Sequence, residues 1–138
     1  MTTRSEDETA AVGRELAATL RAGDVLLLYG DLGAGKTAFV RGLAEGLGVS
    51  RDEVSSPTFT LIQEYRGGRL TLFHVDLYRI EDPREFDELG LEEMAEDGVM
   101  AIEWAERLPG PPRNAVRISL EHAGENERRI AISRESEI

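Results

Sequence analysis

Apolar residues recur four apart at Val12, Leu16 and Leu20, with Ser5 and Glu8 spaced as a capping box ahead of them and Gly23 beyond. This pattern predicts an amphipathic helix from about Glu6 to Arg21. Val25-Leu26-Leu27-Leu28-Tyr29 follows, apolar throughout and too short for a helix, as expected of a strand buried on both faces in a parallel sheet. Gly30 to Gly35 then breaks the chain into a loop. A second helix is predicted from Lys36 to Leu47, with Val40, Leu43, Ala44 and Leu47 on one face and Gly48 at the left-handed C-cap. Thr58 to Tyr65 and Arg69 to Val75 flank Gly67-Gly68 and read as a hairpin with a two-residue turn. Asp82-Pro83-Arg84-Glu85 supplies the N-cap, N1 proline and N3 glutamate of a short helix to about Leu89, ended by Gly90, with another helical turn before Gly98. Val99-Met100-Ala101-Ile102 is a further short apolar strand. Beyond the helix-excluding Pro109-Gly110-Pro111-Pro112, alternation over Ala115 to Glu121 and Arg129 to Ser133 predicts an antiparallel pair at one sheet edge. Together these elements predict an α/β fold with a mixed, mainly parallel central sheet flanked by helices and antiparallel edge strands.

A length of 138 residues suits one domain spanning 1–138. With 27 acidic against 16 basic residues the formal charge is −11, which repels phosphate backbones and anionic membranes, so nucleic acid is expected only indirectly, through a partner. The apolar runs are far shorter than a bilayer span and the polar start is no signal peptide; a cytoplasmic protein without a membrane role is expected. Absence of cysteine removes disulfides, thiolate nucleophiles and cysteine-ligated zinc. Fifteen of the sixteen basic residues are arginine, and the only lysine is Lys36.

That lysine completes Gly30-Asp31-Leu32-Gly33-Ala34-Gly35-Lys36-Thr37, the G-x-x-x-x-G-K-T phosphate loop, with a predicted strand before it and a helix after it. Glycines let successive backbone N–H groups converge on phosphate oxygens, and the helix start adds its positive end. Lys36 is expected to reach the β and γ phosphates, and Thr37 to offer its hydroxyl to Mg²⁺. Position 38 carries no equivalent threonine: the residue after Thr37 is Ala38, which adds no second hydroxyl to the set. Such a loop works with a carboxylate at the end of a neighbouring strand. Asp76 and Glu103 both have that form, each ending a hydrophobic run, and either suits the metal. Trp104 follows Glu103 and belongs near the nucleotide, although packing accounts for it equally well. His74 is in phase with Asp76, but a histidine on a half-buried strand is ordinarily structural and receives no role. Ser55-Ser56-Pro57-Thr58 stands where phosphate-loop proteins carry a switch, or is simply a serine-proline turn. Residues 81–97 hold nine acids and one base, a solvated helical face or a docking surface for a basic partner.

Guanine recognition through Asn-Lys-x-Asp is excluded, because there is no second lysine. A small-molecule kinase needs a lid for which the chain leaves little length. The four segments Gly30 to Thr37, Ser56-Pro57-Thr58-Phe59, His74-Val75-Asp76-Leu77-Tyr78-Arg79 and Ile102-Glu103-Trp104, in this order, resemble the bacterial TsaE family, also called YjeE. Ala105 departs from it, since proline is common there. The resemblance implies an ATPase of tRNA threonylcarbamoyladenosine biosynthesis that cycles a TsaD–TsaB pair between turnovers and touches tRNA only through them. It further implies that Gly33, Ala34, Gly35, Lys36 and Thr37 bind the triphosphate of ATP, with Thr37 and Glu103 on magnesium. Lys36, Asp76 and Glu103 would be the catalytic residues, and Ser56, Pro57 and Thr58 the nucleotide-sensing switch. Adenine would be met near Glu6 or Thr9, and an arginine near Arg129 would approach the phosphates. Two other readings remain at this point: a nucleotide-dependent adaptor with negligible hydrolysis, and a small P-loop kinase.

Overall fold

The computed structural model describes residues 1–30, 35–49, 62–66, 68–77, 93, 96–105 and 115–134. In chain order they form β1 (Thr2–Thr3), α1 (Glu6–Ala17), β2 (Val25–Gly30), α2 (Lys36–Gly46), β3 (Ile62–Tyr65), β4 (Thr71–Asp76), β5 (Gly98–Glu103), β6 (Val116–His122) and β7 (Arg128–Arg134). The strands make one seven-stranded sheet in the order β1-β7-β6-β2-β5-β4-β3. The central strands β6, β2, β5 and β4 run parallel, while β3, β7 and β1 pair antiparallel with their neighbours. This is the α/β architecture with a parallel centre and antiparallel edges that the pattern predicts. The expected short helix over 82–89 and the strand start at 58–61 lie outside the described residues.

The uniformly apolar β2 takes the centre because both its faces are covered. Leu26 and Leu28 pack with Ala17, Phe39 and Leu43 of the two helices, and Leu27 faces Phe73, Val75, Met100 and Ile102 on the other side. The predicted closing pair forms as β6 and β7, but it is not itself the sheet edge. The two-residue β1 lies outside it, held by Ile130 N–H donating to the Met1 carbonyl at 2.8 Å. A polar strand paired only through its backbone carries no hydrophobic signal, which is why the sequence pattern misses it.

Helix α1 stops at Ala17 rather than Arg21, because Arg69 reaches across and donates to the Ala17 and Leu20 carbonyls at 2.8 and 3.2 Å. The main-chain N–H of Arg69 also donates to the Leu47 carbonyl at 2.6 Å. β3 ends at Tyr65 and β4 begins only at Thr71, a wider separation than the expected two-residue turn, and Arg69 docks on the C-terminal ends of both helices.

The buried stripe of α1 is Thr9, Ala10, Gly13 and Ala17, with Val12 and Leu16 only partly covered beside it. Small residues win this face because the helices meet backbone to backbone. A Cβ on Gly42 would lie 1.7 Å from the Ala10 carbonyl oxygen, and one on Gly13 2.3 Å from that of Phe39. Gly42→Ala therefore forces the helices apart. Its gain in helix propensity, about 1 kcal/mol, is smaller than an overpacking cost of about 3 kcal/mol or more. We expect the melting temperature to fall by roughly 5–10 °C; a thermal melt giving an unchanged or raised value would contradict this packing.

Candidate functional site

The parallel strands β2, β4 and β5 end at the same pole of the sheet, and both helices begin there. Glu103 stands in register with Leu28 on one side and Asp76 on the other, and Gly30 with Leu120. Strand alternation puts His74, Asp76 and Glu103 on the face that carries α1 and α2. Leu72 of β4 and Ala101 of β5, in phase with them, pack in the same cluster as the helices.

The two helix starts differ. Helix α1 is closed on itself: Ser5 Oγ accepts from Glu8 N–H at 3.1 Å, and Glu6, Asp7 and Glu8 fill its first turn. The Glu8 carboxylate accepts from Arg4 N–H at 3.2 Å, a capping box displaced by one residue. Helix α2 has Gly35 at its N-cap, with φ of +98°, no side-chain cap and no acidic residue in its first turn. Among the described residues nothing acidic in that turn offsets its positive end, and Gly35 accommodates a left-handed turn disfavoured for other residues. Half-buried Thr37 follows in that first turn. Position 38 is alanine and not threonine: the Ala38 methyl is buried with the apolar side of α2, so within the first turn of this helix the hydroxyl is that of Thr37. A threonine there would bring a second hydroxyl into buried surroundings, which alanine avoids.

Lys36 is only 6% exposed. Its Nζ donates to the Gly30 carbonyl at 2.9 Å and lies 5.0 Å from the centre of the Trp104 ring. One of three ammonium protons is used by that carbonyl. Trp104 adopts the left-handed conformation, φ +61°, immediately after Glu103. Such a backbone costs a non-glycine residue about 1–2 kcal/mol. The turn takes the chain out of β5 as the indole meets the lysine. The Glu103 carbonyl meanwhile accepts from Leu77 N–H at 3.1 Å, carrying the β4–β5 pairing one step further.

The Glu103 carboxylate is almost fully buried, and His74 Nε2–H donates to its Oε2 at 2.6 Å. His74 is fully buried. Asp76, beside Glu103 on the neighbouring strand, is half-buried.

On the flank of α1, Thr9 is buried and shares a 2.7 Å hydroxyl hydrogen bond with Thr3. A Cβ placed on Gly35 would lie 3.5 Å from Thr9 Cγ2 and 3.9 Å from Arg128 Cγ. Of the sequence candidates, the structure thus gathers Gly35, Lys36, Thr37, Asp76, Glu103 and Thr9 at one pole. Glu6 is exposed on the first turn of α1. Arg129 is exposed and in register with Thr2 and Glu121; the arginine whose stem lies beside Gly35 is its neighbour Arg128. Strand alternation separates the two, with Arg128 in phase with buried Ile130. Gly33, Ala34, Ser56, Pro57 and Thr58 lie outside the described residues. Sequence reasoning left out His74 and Arg128. Its available signals were the phase of His74 with Asp76 and of Arg128 with Ile130.

The architecture defines a class: an α/β protein whose G-x-x-x-x-G-K-T segment joins a central parallel strand to a helix at the carboxyl edge of the sheet. Within that class, the family description "Threonylcarbamoyl adenosine biosynthesis protein TsaE" matches residues 3–130. Proteins described as tRNA threonylcarbamoyladenosine biosynthesis protein TsaE are similar over almost the whole chain. The one from Bacillus subtilis is 47% identical, covering 95% of this chain and 82% of its own. That of Nostoc is 45% identical, with 93% and 81% covered, and that of Treponema pallidum 43%, with 94% and 96% covered. The crystal structure of YdiB from Bacillus subtilis superposes with a TM-score of 0.78 at 39% identity, covering 99% of this chain and 84% of that one. The chain belongs to the TsaE family and so to tRNA threonylcarbamoyladenosine biosynthesis. No helix among the described residues is long and apolar enough to cross a membrane.

Proposed function

We propose that the chain binds ATP at the carboxyl edge of its sheet and hydrolyses it, and that this cycle resets a TsaD–TsaB pair between rounds of tRNA modification in the cytoplasm. The observation that carries this reading is Lys36, buried at the uncompensated start of α2 and next to the strand that ends in Glu103. A buried ammonium at an uncapped helix start is a site made for a polyanion. Lys36 binds the β and γ phosphates, and the first-turn N–H groups of α2 fix their orientation.

The side chains fit magnesium as well as nucleotide. Thr37 supplies a hydroxyl beside the phosphates, and the adjacent acids Glu103 and Asp76 supply hard oxygen donors. Among the described residues no group of three or more His, Asp or Glu side chains could hold a metal ion. Magnesium keeps several waters and is bound by one or two carboxylates together with phosphate oxygens, so a full protein cage is not required of it. When bound, magnesium neutralises phosphate charge and orients the triphosphate. Glu103 and Thr37 would hold it, with Asp76, in register with Glu103 on the neighbouring strand, as the second essential acid. With a charge of −11 the chain leaves tRNA to its partners.

Phosphate release from ATP by the purified chain, alone and with the TsaD–TsaB pair, tests this. We expect slow release alone and stimulation of at least about tenfold by the pair. ATP binding without release in either setting would replace the ATPase with an adaptor whose nucleotide governs assembly. A phosphorylated small-molecule product would make it a kinase.

A further inference from the structure

We propose that His74 is a positioning residue for the hydrolytic site: its imidazole fixes the Glu103 carboxylate through Oε2 and leaves Oε1 as the oxygen that acts on the nucleotide side. The inference rests on the proposed ATPase reading and deepens it. His74 stands in register with Ala101, not with Glu103, so the imidazole passes over a methyl group and reaches diagonally to the carboxylate two residues further along β5. At 2.6 Å, with side-chain exposures of 0% and 7%, this is a short, charge-assisted bond sealed from water. The ring of Tyr65 packs on the imidazole with centroids 6.4 Å apart.

A space-filling role does not account for this arrangement. The other imidazole nitrogen, Nδ1, is buried and has no hydrogen-bond partner among the described residues. An apolar side chain in phase with Leu72 would fill the same volume without that cost. The imidazole is justified by what it does to Glu103. A carboxylate free to rotate would present its two oxygens interchangeably, whereas one pinned at Oε2 keeps a single orientation. Ligand side chains at metal sites are held by such outer partners, and loss of one typically lowers activity about 10–100-fold. The bond also fixes the tautomer, since a carboxylate accepts only from an Nε2 that carries the proton.

The test compares His74→Gln, whose amide N–H replaces Nε2–H, with His74→Asn, whose shorter amide falls near Nδ1 and misses Glu103. Phosphate release is measured with the TsaD–TsaB pair present. We expect His74→Asn to lower kcat about 10–100-fold with KM for ATP within about twofold, and His74→Gln to recover most of the loss. A second readout needs no turnover. The chain has two histidines, and His122 is exposed at the end of β6, so ¹⁵N-histidine spectra assigned with His122→Gln isolate His74. They should show the Nε2–H form with a low-field proton that moves upfield in Glu103→Gln, where a neutral amide oxygen replaces the carboxylate as acceptor.

Wild-type kcat in a folded His74→Asn variant, or His74→Gln no better than His74→Asn, would overturn the positioning role while leaving the ATPase intact. An Nδ1–H form in the spectra would overturn it independently. Absence of phosphate release from the wild type under every condition would remove the hydrolysis reading and this inference with it.

Discussion

Lys36→Ala should leave the chain folded and weaken its ATP affinity by at least about a hundredfold, a loss of roughly 2.7 kcal/mol. Two consequences of the substitution oppose each other. The phosphate cradle loses a buried cation, together with up to three donors that strengthen as water is excluded. The fold, by contrast, loses one hydrogen bond to the Gly30 carbonyl and one contact with the Trp104 ring, and no longer bears the desolvation of a buried ammonium. Those last effects nearly cancel, so the melting temperature should stay within a few degrees of wild type. Trp104, the chain's only tryptophan and 5.0 Å from the amine, provides the readout. Its fluorescence should respond to ATP in the wild type and stay flat in the variant across the same range. Equal ATP affinity in the two proteins would refute the site.

Glu103→Gln should show the opposite split. Shape is conserved, the amide oxygen still accepts from His74, and a buried charge is replaced by a neutral group, so neither the melting temperature nor ATP affinity should fall appreciably. Phosphate release should fall by about 10²–10³, the scale seen when one group acting on the transition state is removed. A drop in kcat with KM unchanged would place the loss in the chemical step. If the variant still supported repeated rounds of tRNA modification in a reconstituted reaction, hydrolysis would not be what the partners use. The adaptor would then be the better description.

These two effects separate binding from chemistry along a boundary visible in the fold. Lys36 and the start of α2 hold charge that attracts an anion. In the proposed function, Glu103 and Asp76, on adjacent strands, act on what that anion carries. Convergence of the two follows from parallel strand direction. Where β2, β4 and β5 run the same way, their ends lie together, and the helix that follows β2 begins at that same end.

The features legible in the sequence were those determined within a few residues of chain. The apolar run Val25 to Tyr29 identifies a strand covered on both faces because every position needs cover. Ser5 and Glu8 identify a helix start because a side chain reaches its own backbone three residues on. Lys36 declares a phosphate loop because glycine spacing and the following helix are local geometry, and Asp76 and Glu103 were found because each ends a hydrophobic run. The tertiary structure alone decided which distant groups meet. His74 and Glu103 are 29 residues apart, and their bond depends on strand order and on a register that sets His74 against Ala101. The choice between Arg128 and Arg129 depends on which face of β7 turns towards α2, since neighbouring strand residues point opposite ways. The buried face of α1 belongs to Ala10 and Gly13 rather than Leu16, because contact with Gly42 requires absent side chains, a demand made by the partner helix and carried by no hydrophobic pattern. Local chemistry thus determined the parts and the anion they suit; packing over long sequence separations decided which side chains stand beside it.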